Sequence, residues 1–216
     1  HDMSAADKGA RMTNALKLVG LSRSEQVLVG GTLPGGYVLQ GLSSGQQKRL
    51  SIATAMLPKP ALVFADEPTS GIDAFASLKV VEVLKQVAAG GRTVVVTLHQ
   101  PRDAIWRLFD ALYLMSEGRL MYSGPPCAAE AWFKSIGYEA PADISISDWL
   151  LDVVTIGFDK NEIGWRCLAN AGDVAWAAMQ FNSSTEAHFL HEEVAAAVVM
   201  AAGEGRANKL WPGLGE

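Results

Sequence analysis

Apolar residues recur at helical spacing near the start of the chain, at Met12, Ala15, Leu16 and Val19, with Gly20 behind them. Residues 4–19 are therefore expected to form an amphipathic helix, opened by a capping box in which Asp7 reaches back to the Ser4 backbone. From 27 to 41 the apolar positions are broken by five glycines and a proline, the composition of a loop. A second helix is expected from about Ser44 to Leu57, ended by Pro58 and Pro60. Leu62 to Ala65 is too short and too apolar for a surface helix and reads as a strand buried on both faces, as in a parallel sheet.

Residues 74–89 return to the helical period and close at Gly90-Gly91. "RTVVVTLH" follows as a second buried strand, closed by His99. "ALYLMSEGRLMYSG", 111–124, alternates around Glu117-Gly118 and predicts a hairpin at or beyond one edge of the sheet. A helix over 126–136 stops at Gly137. Strand, helix and strand in alternation predict an α/β fold with a parallel-sheet core. Past residue 155 the pattern fades: "TEAHFLHEEVAAAVVMAAGEG" is a helix candidate and the rest is glycine-rich and irregular. No internal repeat is present.

Composition adds bounds. The 216 residues, 49% apolar and 19% charged, suffice for one ordinary domain and an appendage. A net charge of −5 argues against a nucleic-acid partner, which calls for a basic face. Cys127 and Cys167 match no metal or redox spacing and read as packing residues of a reducing compartment. The longest apolar run, Val194 to Ala202, is about half of what a spanning helix needs, and no charged-then-apolar leader opens the chain. The chain by itself is expected to be soluble. It opens on His-Asp-Met rather than an initiator methionine, which reads either as a fragment of a longer protein or as an irregular gene prediction.

The chemistry gathers where the strands end. In an open parallel sheet, ligands collect outside the carboxyl ends of the strands. Asp66 and Glu67 stand at one such end and His99 at the next. A carboxylate there can hold Mg²⁺ through water, a second can orient an attacking water, and an imidazole can answer a developing phosphate charge. Taken alone, the acid pair would read as a helix cap or a solvated turn. "GLSSGQQKRL", 41–50, leads small residues straight into a helix, so that backbone N–H groups and the hydroxyls of Ser43 and Ser44 point outward together. Such an N-terminus suits a phosphate, although taken alone it would read as an ordinary capped helix.

Order and spacing together carry more. "LSSGQQKR", "LVFADEPTSGID" and "TLHQPRD" resemble the signature, Walker B, D-loop and H-switch of an ATP-binding cassette (ABC) ATPase, over roughly residues 10–155. "QKRLSIATAML", "LMSEGRLMYSGP", "SDWLLDVV" and "LKLVGLSRSEQVLVGG" resemble the G subfamily, the white and pleiotropic-drug-resistance type. The resemblance implies a P-loop NTPase-like fold with a helical subdomain, incomplete at the N-terminus. It implies ATP and Mg²⁺ as cofactors, with Asp66 holding the metal through water and Glu67 as general base. Asp73 would be the D-loop aspartate coupling two nucleotide sites, and His99 the switch histidine at the γ-phosphate. Ser43, Ser44, Gly45 and Gln46 would form the signature that closes over ATP held by a second nucleotide-binding domain. Ser44 departs from the family's glycine, keeping the backbone N–H but adding a side chain where the phosphate approaches.

A P-loop, G-x-x-x-x-G-K-[ST], is missing, for none of the nine lysines follows a glycine. The Q-loop and the adenine-stacking aromatic loop are missing too. The chain thus resembles the back part of a cassette, and by itself is expected to be inactive. Expected boundaries are 1–155 for the cassette part and 156–216 for a linker or tail. The cassette part would hold a helical subdomain over 1–57, Walker B to H-switch over 61–99, and the hairpin over 111–123. The family implies a transmembrane domain as partner, membrane association through it, a place on the cytoplasmic side, and export of lipid-like or xenobiotic small molecules.

Two alternatives stay open: a soluble ABC-type ATPase acting on DNA or ribosomes, and a truncated, non-catalytic interaction remnant. His188, His191 and Glu192 match no zinc motif and read as a solvated helix face. Lys48 and Arg49 belong to the signature helix rather than to a nucleic-acid patch. Trp149 and Trp165 read as packing or partner-facing residues.

Overall fold

The computed structural model describes residues 3–32, 34–156, 164–185 and 187–188. Most of the expected C-terminal helix, with His191 and Glu192, lies outside the described residues. The chain divides into two compact units, His1–Leu108 and Phe109–Glu216.

The first unit opens with helix α1, Ala5–Leu18. Ser4 caps it, accepting the Asp7 N–H at 3.1 Å. The Asp7 carboxylate takes the Ser4 hydroxyl at 2.7 Å rather than the Ser4 backbone, so the capping differs from the expected reciprocal box. The glycine-rich stretch after it holds a short antiparallel pair, β1 (Gly31–Thr32) and β2 (Val38–Leu39). Helix α2, Ser44–Met56, follows, then β3 (Leu62–Asp66), α3 (Ala74–Ala89), β4 (Thr93–Thr97) and the single-turn α4 (Asp103–Trp106). β3 and β4 pair in parallel, Leu62 with Thr93 through Asp66 with Thr97, as the α3 crossover requires.

One core joins these pieces. Val19 and Leu21 after α1, Ile52, Ala53 and Met56 of α2, Val63 of β3, and Val80, Val83, Leu84 and Val87 of α3 are all buried together. The expected helical subdomain therefore shares its core with the sheet. Arg49 reinforces this from α2, donating from Nη1 to the Val19 carbonyl at 3.0 Å.

The expectation that β3 and β4 are buried strands is corrected, for no residue of β4 is buried and Val95 is open. Val63 faces the core, while Leu62 and Phe64 on the other face are open, Phe64 by 72%. The reason is that side chains alternate across a strand, and α1, α2 and α3 supply apolar partners to one face only.

In the second unit β5 (Leu112–Ser116) and β6 (Arg119–Gly124) form the expected hairpin. Glu117 and Gly118, at φ +47° and +72°, make its two-residue turn with both central residues left-handed. Among the described residues it is a two-stranded sheet of its own, with a register shift at Leu114/Met115. Helices α5 (Ala129–Ser135) and α6 (Ile146–Val154) come next. The stretch expected to be irregular contains a further helix, α7, Ala171–Asn182, capped by Asn170.

This helix is part of the packing. Phe181, fully buried, meets Tyr122 of β6 and Trp132 of α5 at ring-centre distances of 6.1 and 5.6 Å. Trp149 is fully buried against Phe133 and so is a packing residue, whereas Trp165 is half-buried. Cys167 is buried as expected, but Cys127 is exposed and packs no core.

Candidate functional site at the strand ends

β3 ends on Asp66 and β4 on Thr97, and the register sets these two side by side. The Thr97 hydroxyl donates to Asp66 Oδ1. Its oxygen accepts the backbone N–H of Glu67 at 2.9 Å. Thr97, which the sequence motifs carried without a role, therefore ties both acids to the neighbouring strand. A polar β-branched residue closing an otherwise apolar strand, two positions before His99, was the available signal.

Glu67 sits at φ +40°, a left-handed conformation that costs a non-glycine residue about 1 kcal/mol or more. Gln100, just past the second strand, repeats it at φ +46°. Both strand ends thus break sharply, and the Gln100-Pro101 turn ends β4 at Thr97. His99 accordingly lies in an exposed bend beyond the strand rather than closing it. Asp66, Glu67 and His99 are all exposed to solvent at the same end of the parallel pair.

The remaining expected site residues are engaged in the caps of α2 and α3. Ser43 Oγ accepts the Gln46 N–H at 3.3 Å, and Gln46 Oε1 accepts the Ser43 N–H at 2.9 Å, a reciprocal box. The Ser43 hydroxyl is thus turned along the helix, not outward with Ser44 as expected, because it satisfies a first-turn N–H. Ser44, the first residue of α2, is exposed. Gly45 is buried, and a Cβ added there would stand 2.7 Å from the Ala76 Cβ. Packing between α2 and α3 within this chain already demands glycine at that position. Asp73 caps α3, with Oδ1 accepting the N–H groups of Phe75 and Ala76, both at 2.9 Å. Gly45 and Asp73 therefore meet at Ala76, one through packing and one through its amide.

The donor set would meet a magnesium ion through a single carboxylate, that of Asp66. Among the described residues no three His, Cys, Asp or Glu side chains could hold a metal. Asp66 Oδ1 accepts the Thr97 proton, and a carboxylate so placed would reach such an ion through water. Also among the described residues, no helix is long and apolar enough to cross a membrane.

A parallel strand pair joined by a helical crossover, with an acid pair at its carboxyl end and a capped helix packed beside it, agrees with the α/β, P-loop NTPase-like core that the motifs imply. Comparison with known proteins narrows the class. Residues 2–70 match the family described as ABC transporter, and residues 99–200 the family described as ABC-2 type transporter. ABC transporter G family member 4 of Dictyostelium discoideum is 41% identical over 153 residues, 70% of this chain and 19% of that protein. Protein white of Drosophila melanogaster is 37% identical over 147 residues, 68% of this chain and 21% of that one. A solved chain described as part of an ABC transporter complex of Clostridium perfringens aligns at TM-score 0.49 and 25% identity, covering 62% of this chain and 50% of that one. These matches make the chain similar to ABC transporters, with curated relatives in the G family. It spans about a fifth of the length of those curated relatives.

Proposed function

We propose that this chain supplies the hydrolytic end of a nucleotide-binding domain in a G-type ABC transporter. The observation that carries the reading is the Thr97 clamp, which fixes Asp66 and Glu67 at the carboxyl end of β3. In this reading Asp66 would hold Mg²⁺ through water, and the ion would supply charge neutralisation at the phosphates of ATP. Glu67 takes a proton from the attacking water. His99, on the next strand end, contacts the γ-phosphate. Ser43, Ser44, Gly45 and Gln46 present the N-terminus of α2 to ATP held by a second nucleotide-binding domain. Asp73 carries the state of that contact into α3. A transmembrane domain on the same or another polypeptide receives the motion, which places this domain on the cytoplasmic side, and lipid-like or xenobiotic molecules are the exported class.

The chain alone holds ATP weakly, because most phosphate contacts come from a P-loop backbone and its lysine. Calorimetric titration of the 216-residue chain with Mg-ATP is expected to show no saturable binding in the micromolar range. Low-micromolar binding would mean that residues other than a P-loop cradle the phosphates here.

A further inference from the structure

We infer that the second unit carries a binding site for an uncharged aromatic small molecule, in the cavity lined by β6, α5 and the turn that follows α7. The cavity measures about 770 Å³, within the usual span of small-ligand sites. It lies wholly in the second unit and shares no residue with the strand-end site.

Its walls are held in place before any ligand arrives. Trp132 donates its indole N–H to the Met121 carbonyl at 3.2 Å and meets Phe181 edge-on, with ring centres 5.6 Å apart. Tyr122 donates its hydroxyl proton to the Pro125 carbonyl at 2.8 Å and leans on the same Phe181 ring at 6.1 Å. Each ring is thus fixed at its polar end and along its apolar body. Gly124, Ala128 and Ala131 line the same cavity, and side chains so small leave its volume open. A site preformed in this way loses little freedom on binding.

The lining also selects the chemistry. No lysine, arginine, histidine, aspartate or glutamate is among the lining residues, so a charged ligand would lose water there and find no counter-ion. Aromatic walls favour a flat apolar ring, stacked or edge-on. Hydroxyls at the end of α7 add polar contacts. Ser183 Oγ donates to the Met179 and Gln180 carbonyls, both at 3.0 Å, and its oxygen can still accept. Ser184 Oγ accepts the Ala187 N–H at 3.2 Å and still has a proton to donate. The set fits a flat, neutral ring with a donor and an acceptor at its edge.

The test titrates the 216-residue chain with 7-amino-4-methylcoumarin, flat and uncharged at neutral pH, and follows N–H signals by NMR. The Trp132 indole and the amides of Gly124, Ser183 and Ser184 are expected to shift together and saturate. A dissociation constant of about 1 mM or below is what a fragment of this size allows. Tyr113→Ala removes an exposed ring of the lining and should weaken binding about threefold or more, while Tyr113→Phe should keep it. Ala128→Trp fills the cavity from an exposed position and should abolish the shifts, with the rest of the spectrum unchanged. The 3-acetic acid derivative of the same coumarin carries a carboxylate and should bind about tenfold more weakly or worse. If no saturable shift occurs at these residues in the parent, the site is overturned. Parent-like binding by Tyr113→Ala and Ala128→Trp overturns it as well. Equal affinity for the anionic derivative overturns the assignment to an uncharged ligand.

Discussion

Gly45 shows how one residue can belong to two explanations. By family resemblance it is the glycine that a phosphate approaches, yet its missing side chain is already required by Ala76, whose Cβ lies 2.7 Å from where a Cβ would be. Gly45→Ala is therefore expected to destabilise the first unit by about 1–3 kcal/mol, the usual cost of overpacking. Ala76→Gly in the same chain should recover part of that loss, because it removes the atom that clashes. Urea unfolding of the two single variants and the double variant measures the coupling directly. If Gly45→Ala unfolds at the parent's midpoint, α2 and α3 are not held in the contact described. A substitution at this glycine also cannot separate phosphate recognition from folding, whereas exposed Ser44 can be changed without touching α3.

Among the elements, α6 carries an unfavourable charge. Its apolar face buries Trp149, Leu150 and Val153, and Asp148 in its first turn complements the helix dipole. Asp152 lies in the last turn, where the dipole opposes a carboxylate. Partial burial, and then the like charge of Asp148 one turn earlier, raise its pKa above the ordinary 3.8. The sign follows from linkage: an acid whose folded pKa is raised binds more protons folded than unfolded, so it costs stability once the pH exceeds 3.8. Asp152→Asn is expected to raise the unfolding temperature of the second unit modestly at neutral pH. That gain should shrink as the pH falls toward the ordinary aspartate range. Thermal scans at a series of pH values measure it, and a gain that grows with acidity would show that the shift has the opposite sign.

The elements were legible in the sequence wherever local rules decide them. Glu117-Gly118 dictated the hairpin turn, and the glycine and proline stops around α2 and α3 set their ends within a residue or so. What the sequence hid depended on neighbours. The open face at Leu62 and Phe64 reads as buried because apolar content carries no record of which face finds a partner. α7 was missed because its small residues, Ala171, Gly172, Ala175, Ala177 and Ala178, give a weak period. Its place is set instead by the Asn170 cap and by Phe181 against Tyr122 and Trp132.

The motifs could be read from the sequence, and the local duties of their residues could not. Asp73 and Ser43 cap helices, Gly45 fits a helix contact, and Thr97 fastens the acid pair. Each duty needs a partner from a distant position in the chain or an amide geometry that residue types alone do not display.

At the scale of the whole molecule, a core built by α1, α2, β3 and α3 sets an acid pair at a strand end, in a chain whose sequence contains no P-loop. Its division at Leu108/Phe109 places the hairpin and α7 in the same unit. The role proposed for Glu67 is to activate water for ATP hydrolysis within a G-type transporter. Residues 3–156 can be exchanged for the matching segment of the Dictyostelium G family member 4, which supplies the rest of a transporter. The decisive measurement is the ATPase rate of that chimera beside its Glu67→Gln form, with nucleotide binding followed in both. The variant is expected to bind ATP like its parent and to turn over about 10²-fold more slowly or worse, as removal of a general base requires. A variant that hydrolyses ATP within twofold of an active parent would contradict it and move the base to another residue, with His99 the nearest candidate on the adjoining strand end.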